Sequence, residues 1–118
     1  MSTILVVDDE SNMRFLLRLI LERAGYEVAE APHGAAALAR AQQSRPDLVL
    51  TDLMMPVMTG RELIERLRAD PETAGIPIVV VSANPNAPVP EADARIGKPF
   101  DTDKLLETIH SLTENEAA

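Results

Sequence analysis

Residues 47–52 read Asp47-Leu48-Val49-Leu50-Thr51-Asp52, in which the unbroken apolar run Leu48-Val49-Leu50 leads through Thr51 to a carboxylate. Alternating apolar and polar positions would mark a strand with one wet face. A continuous run predicts a strand covered on both faces, as in a parallel sheet. Two further runs share this character: Ile4-Leu5-Val6-Val7, which ends on Asp8, and Ile76-Pro77-Ile78-Val79-Val80-Val81, which ends on Ser82. Tyr26 to Ala31 and the very short Ala94 to Gly97 complete five predicted strands.

Helical patterns fill the intervals. Met13, Leu16, Leu17, Ile20, Leu21 and Ala24 follow an i, i+3, i+4, i+7 stripe, and Gly25 supplies a stop. An alanine-rich helix is predicted over 35–41, ending before Arg45-Pro46. A third carries Leu63, Ile64 and Leu67 and ends before Asp70-Pro71. The last carries Leu105, Leu106, Ile109 and Leu112 with Asp101 as N-cap, and residues 113–118 are expected to fray. This alternation predicts one α/β domain over 1–118 with right-handed crossovers. Only the interval 83–94 breaks the pattern. Pro85, Pro88 and Pro90 each remove an amide donor and disfavour helix in the preceding residue, so a proline-rich loop is expected where a fourth crossover helix would run.

Composition narrows the function. The chain has 118 residues, 46% of them hydrophobic, no cysteine, and 11 Lys and Arg against 19 Asp and Glu, a net charge of −8. Such apolar content excludes a disordered acidic tail, and the absence of cysteine excludes a disulfide scaffold. Without clustered Lys and Arg, direct nucleic-acid binding is not expected. No apolar stretch reaches the roughly 20 residues of a membrane helix. The N-terminus has no basic targeting segment, and a cytoplasmic location is the expectation.

Open α/β sheets bind ligands beyond the carboxyl ends of their strands. Asp8, Asp9 and Glu10 follow the first run, Asp52 the third strand, Ser82 the fourth and Lys98 the fifth. Singly, each has an ordinary structural reading: a cap, a turn residue, a solvated charge. Together they are a cluster of carboxylates that repel one another, which a hard cation such as Mg²⁺ relieves with one or two carboxylates, water and a phosphate oxygen. An ionised Asp52 beside a metal is a candidate phosphoryl nucleophile, with Lys98 balancing phosphoryl charge and Ser82 hydrogen-bonding one of its oxygens.

Four segments then match a family: Val6-Val7-Asp8-Asp9-Glu10, Thr51-Asp52-Leu53-Met54-Met55-Pro56-Val57-Met58-Thr59-Gly60, Val81-Ser82-Ala83 and Gly97-Lys98-Pro99-Phe100. Nearly the whole chain resembles the response-regulator receiver domain of two-component signalling, of the single-receiver, chemotaxis-regulator kind. The resemblance implies a flavodoxin-like five-stranded parallel sheet in the order 2-1-3-4-5. It also implies that Asp52 takes a phosphoryl group from a histidine kinase or histidine phosphotransfer protein, and that the chain signals to a downstream protein rather than acting as an autonomous enzyme. Mg²⁺, or Mn²⁺ in its place, would be held by Asp9, Asp52 and the Met54 backbone carbonyl, with Asp8 acting through water. Ser82 would be the switch hydroxyl and Lys98 the phosphoryl contact, with a cis Lys98-Pro99 bond. Met54 and Asn84 would modulate phosphate lifetime. A magnesium phosphatase of the haloacid-dehalogenase type would want D-x-D on the first strand, where Asp8 and Asp9 are adjacent. A flavin carrier would want a Ser/Thr/Gly-rich loop there. A phosphorylation-independent scaffold is the remaining alternative.

Arg95 stands where the family places an aromatic switch residue. A guanidinium is costly to bury without a partner, so Arg95 is expected to be exposed or paired with Glu91 or Asp93, leaving the proline-rich loop to carry the response. On the first helix, Phe15 falls among Arg14, Arg18 and Glu22 with Leu19 at its edge, away from the apolar stripe. The resemblance to receivers, whose first helix commonly meets the phosphodonor, implies that Phe15 and Leu19 are phosphodonor contacts. His33 and His110 are read as surface residues, and Met13, Met54, Met55 and Met58 as packing.

Overall fold

The computed structural model describes residues 2–53, 55, 57–84, 89 and 91–117, without the side chains of 114–117. Nine elements follow in order: β1 (Thr3–Val7), α1 (Ser11–Arg23), β2 (Glu27–Ala31), α2 (Gly34–Gln43), β3 (Leu48–Thr51), α3 (Gly60–Ala69), β4 (Ile78–Ser82), β5 (Ala94–Gly97) and α4 (Thr102–Ala117). The strands form one sheet in the order β2-β1-β3-β4-β5 with every pair parallel. This is the flavodoxin-like order that the resemblance implies.

Successive residues of a strand face opposite sides of the sheet, which explains the unbroken apolar runs. Leu5, Val7, Val49, Ile78 and Val80 pack with Ala37 and Ala41 of α2 and Leu63, Ile64 and Leu67 of α3. Their neighbours Ile4, Val6, Leu48, Leu50, Val79 and Val81 pack on the other side with Leu17 and Leu21 of α1 and Leu105 and Ile109 of α4.

Several boundaries move for identifiable reasons. β4 begins at Ile78 rather than Ile76, since Pro77 has no N–H to give the ladder. Asp47 falls outside β3; its carboxylate accepts from Thr3 N at 2.7 Å and its own N–H donates to Thr3 O. Helix α3 starts at Gly60 behind a capping box in which Thr59 Oγ1 accepts from Glu62 N, while the Glu62 carboxylate accepts from Thr59 N. Asp101 caps α4 as expected, accepting from Asp103 N at 2.9 Å. The α4 backbone stays helical through Ala117, in contrast to the fraying expected from 113. In α1 the buried stripe is narrower than the sequence suggests: Leu17 and Leu21 are buried, but Leu16 is 44% exposed. Leu16 lies about 100° round the helix from Leu17, at the edge of what the sheet can cover.

Among the described residues between β4 and β5 there is no helix, and Pro85, Pro88 and Pro90 lie outside the described set. Val89 takes the place of a helical core face, buried against the α2/α3 cluster with Ala92 beside it. The end of this crossover is fastened by Arg68 of α3. Its Nη1 donates to Ala74 O and Ile76 O, both at 2.7 Å, and its Nη2 to Glu91 O and Asp93 Oδ2, both at 2.9 Å. The same Asp93 oxygen accepts from Ile78 N at 2.7 Å, so one guanidinium and one carboxylate tie the entries of β4 and β5 together. Charge-assisted hydrogen bonds to partly buried groups are costly to leave unmade. Arg68→Met is therefore expected to lower the unfolding free energy by about 2–3 kcal/mol in urea titrations. A loss under about 0.5 kcal/mol, within the range of neutral surface changes, would show that the crossover does not depend on this clamp.

Candidate functional site

The carboxyl ends of β1 and β3 lie side by side, with Val7 opposite Thr51, and the residues that follow them meet at one end of the sheet. Asp8 is 2% exposed and held from several sides. Its N–H donates to Ala31 O, its Oδ1 accepts from Glu10 N at 2.9 Å, and its carbonyl accepts from Arg14 Nη1 at 2.7 Å. Asp52 is placed by its N–H to Val7 O at 3.0 Å, and its Oδ1 accepts from Leu53 N at 2.7 Å. Lys98, delivered by β5 and followed by a cis Lys98-Pro99 bond, places Nζ 3.1 Å from Asp52 Oδ2 and 3.3 Å from Asp8 Oδ2. Asp9 is exposed, and one oxygen from each of Asp8, Asp9 and Asp52 lies within 4.8 Å of the others.

Ser82 is buried at the end of β4. Its carbonyl accepts from Lys98 N at 2.9 Å, and its hydroxyl oxygen accepts from Asn84 N at 3.2 Å. The loop after Asp52 folds back tightly: Gly60 N donates to Leu53 O, and a Cβ added at Gly60 would collide with the Asp52 carbonyl oxygen. Gly34 at the start of α2 is similarly close, its N–H donating to Met58 O at 3.1 Å. Met54 and Pro56 lie outside the described residues.

Of the residues singled out in the sequence, Asp8, Asp9, Asp52 and Lys98 come together, and Ser82 joins them through its backbone. Phe15, at 61% exposed, and Leu19 stand apart on α1, with Leu16 extending their apolar surface. Arg95 is exposed, and Oδ2 of Asp93 accepts from Arg68 Nη2 and Ile78 N. His110 is exposed, whereas His33 is half-buried and structural, its Nδ1 accepting from Ala36 N to cap α2. Sequence reasoning missed Arg14 and Arg68, whose partners are set by tertiary structure. It also passed over Thr59-x-x-Glu62, whose spacing is a readable capping-box signal.

Burial is the main influence on the Asp8 carboxyl and raises its pKa above the usual 3.8; the Glu10 amide and Lys98 oppose the rise, and the Asp52 charge adds to it. For Lys98, burial works to lower the pKa, but the hydrogen bond and charge of Asp52, with those of Asp8, outweigh it and the pKa is raised. A carboxyl with a raised folded pKa binds protons more readily folded than unfolded, so its penalty on stability grows as pH rises above 3.8 and is in full force beyond the shifted value. Lys98 acts in the opposite sense, stabilising the fold until pH rises through its raised pKa.

Residues 4–110 match the family model of the response regulator receiver domain. The chain belongs to that family. Among curated receivers it is similar to protein PilH of Pseudomonas aeruginosa, at 34% identity over 118 residues covering 95% of this chain and 98% of PilH. Among solved structures it resembles the chemotaxis protein CheY4 of Vibrio cholerae, with a TM-score of 0.84 at 34% identity, covering 95% of this chain and 98% of that one. The response regulator TrrA of Thermotoga maritima, solved with Mg²⁺-BeF, gives a TM-score of 0.87 at 34% identity over 95% of this chain and 99% of that one. No helix among the described residues of this receiver is long and apolar enough to cross a membrane.

Relief of the Asp8 penalty has a measurable consequence. Without metal, Asp8→Asn is expected to melt at a higher temperature than the wild type at pH 7, with the gap closing as pH falls toward 3.8. A pH-independent gap in calorimetric scans, or a less stable variant at pH 7, would contradict this assignment.

Proposed function

We propose that this receiver accepts a phosphoryl group on Asp52 from the phosphohistidine of a histidine kinase or histidine phosphotransfer protein. An Asp52 carboxylate oxygen attacks phosphorus, the P–N bond breaks, and the imidazole leaves with the electron pair. The observation that carries this reading is Lys98 Nζ within 3.3 Å of both the buried Asp8 and the half-buried Asp52 carboxylates, beside an exposed Asp9. The three carboxylates are hard oxygen donors and fit a divalent cation, Mg²⁺ or Mn²⁺. Asp9 and Asp52, with the Met54 carbonyl by resemblance, would hold it, and Asp8 would act through water. Such an ion supplies positive charge to the phosphoryl oxygens. Lys98 contributes the same from the protein, and Ser82 offers its hydroxyl to a phosphoryl oxygen. TrrA, the relative solved with Mg²⁺-BeF, supports this assignment.

Asn84, whose backbone N–H donates to Ser82 Oγ, and Met54 would modulate how long the aspartyl phosphate survives. With Arg95 exposed where an aromatic switch residue is usual, the crossover between β4 and β5 carries the response to a downstream protein. The chain is a phosphoacceptor working in the cytoplasm without direct nucleic-acid or membrane contact. Incubation with acetyl phosphate and Mg²⁺ is expected to give a phosphoryl mass increment that is absent in Asp52→Asn and on chelation. Amide exchange in 83, 84, 89 and 91–95 should change in the phosphorylated sample. A wild-type mass that never shifts would leave the phosphorylation-independent scaffold as the better account, and unchanged exchange would remove the crossover's role.

Phe15 and Leu19 are placed by this reading in the contact with the phosphodonor. Exposed apolar side chains grouped on one helix are candidate anchors for a partner. Phe15→Ala is expected to keep its melting temperature and its reaction with acetyl phosphate, while kcat/KM for transfer from the cognate donor falls about fivefold or more, near 1 kcal/mol. Full transfer by a stable variant would exclude the contact.

A further inference from the structure

Arg14 lies in the first turns of α1 with its side chain 18% exposed, and it reaches two elements at once. Its Nη1 donates to Asp8 O at 2.7 Å, and its Nε donates to Glu30 Oε1 on β2 at 3.1 Å. Glu30 Oε2 lies 2.9 Å from Arg18 Nε, close in distance but off the line of a hydrogen bond, while Arg18 Nη2 donates to Val28 O at 2.9 Å. Glu30 is thus fixed from two sides, and it holds the Arg14 fork against the end of β1.

The acceptor that Arg14 engages is significant. Asp8 O belongs to the peptide that joins Asp8 to Asp9, and a peptide is planar, so fixing this oxygen fixes the direction in which the chain enters Asp9. The Asp8 carboxylate is already secured by Glu10 N and Lys98 Nζ. Asp9 is the exposed member of the three-carboxylate group, and the rigid peptide behind it is what can place it. Arg14 carries a charge largely answered by Glu30, so its effect on the pocket is geometric.

We infer that Arg14 is a positioning residue for the metal-binding carboxylates, bridging Glu30 to the Asp8 carbonyl so that the Asp8-Asp9 peptide presents Asp9 toward the cation. The inference rests on the cation-binding part of the proposed function. Groups that orient metal ligands typically contribute about 10–100-fold in affinity. Calorimetric titration with Mg²⁺ is therefore expected to show about tenfold weaker binding in Arg14→Met, and a similar loss in Arg14→Lys, whose single ammonium cannot span both acceptors. In metal-free protein the Asp9 and Glu10 amide resonances should move in Arg14→Met, and in the same direction but less in Glu30→Gln, a milder change for the fold. Mg²⁺ affinity in Arg14→Met within about twofold of the wild type, outside the range expected for an orienting group, overturns the inference. Full affinity in Arg14→Lys overturns the bridging role. If the wild type itself takes up no Mg²⁺, the proposed function fails separately. The metal-free amides still decide the geometry, and unmoved Asp9 and Glu10 resonances in both variants overturn it.

Discussion

Asp8 and Asp52 sit at the ends of adjacent parallel strands, nearly buried, with a single ammonium in reach of both. Two carboxylates brought this close repel, and burial adds a desolvation cost to each charge. Lys98 makes the arrangement tolerable, and it pulls β5 into register with the rest of the sheet, since its backbone N–H also bonds to Ser82 O. Lys98 brings one positive charge to a group of three carboxylates, so repulsion among them persists. A divalent ion bound among these oxygens would relieve that repulsion, which is the reason the proposed site is an acidic cluster at one edge of an otherwise well-packed sheet.

Everything else in the fold serves to aim these side chains. The continuous apolar strands bury both faces of the sheet and leave only the strand ends free for polar chemistry. Gly60 lets α3 start hard against the Asp52 carbonyl, where any Cβ would collide. On the far side, where receivers usually interpose a helix, Val89 fills the core and the Arg68-Asp93 pair closes the crossover. The result is a short path from Ser82 to Lys98, so the hydroxyl and the ammonium are linked by a segment that starts and ends at the site.

The amino-acid sequence carries the strands and the site unequally. Runs such as Ile4 to Val7 and Leu48 to Thr51 declare buried parallel strands because burial on both faces leaves no polar alternation. The polar residue at or just beyond the end of each run marks the functional edge. Each alone reads as a cap, a turn residue or a solvated charge, but Asp8, Asp52, Ser82 and Lys98 are legible together, as a set converging on one end of the sheet. Arg14 and Arg68 are not, because each acts through carbonyls and carboxylates supplied by other elements, and a local pattern shows an arginine on a helix and nothing more. Leu16 misleads for a related reason: its spacing fits the apolar stripe, but the stripe the sheet can cover is centred on Leu17 and Leu21. The proline-rich interval signals the loss of a helix, yet the residue that compensates for it, Val89, is ordinary in sequence and becomes recognisable only when buried.

In the proposed function, the carboxylates around Lys98 form a cation-dependent phosphoryl site centred on Asp52. Titrating the metal-free protein with beryllofluoride, with and without Mg²⁺, while following backbone amides by NMR tests it most directly. No change is expected with beryllofluoride alone. With Mg²⁺ present, saturable shifts are expected at Asp52, Leu53, Ser82, Asn84 and Lys98, all of them lost in Asp52→Asn. A spectrum that stays unmoved with both ions present, or shifts that persist in Asp52→Asn, would contradict that assignment.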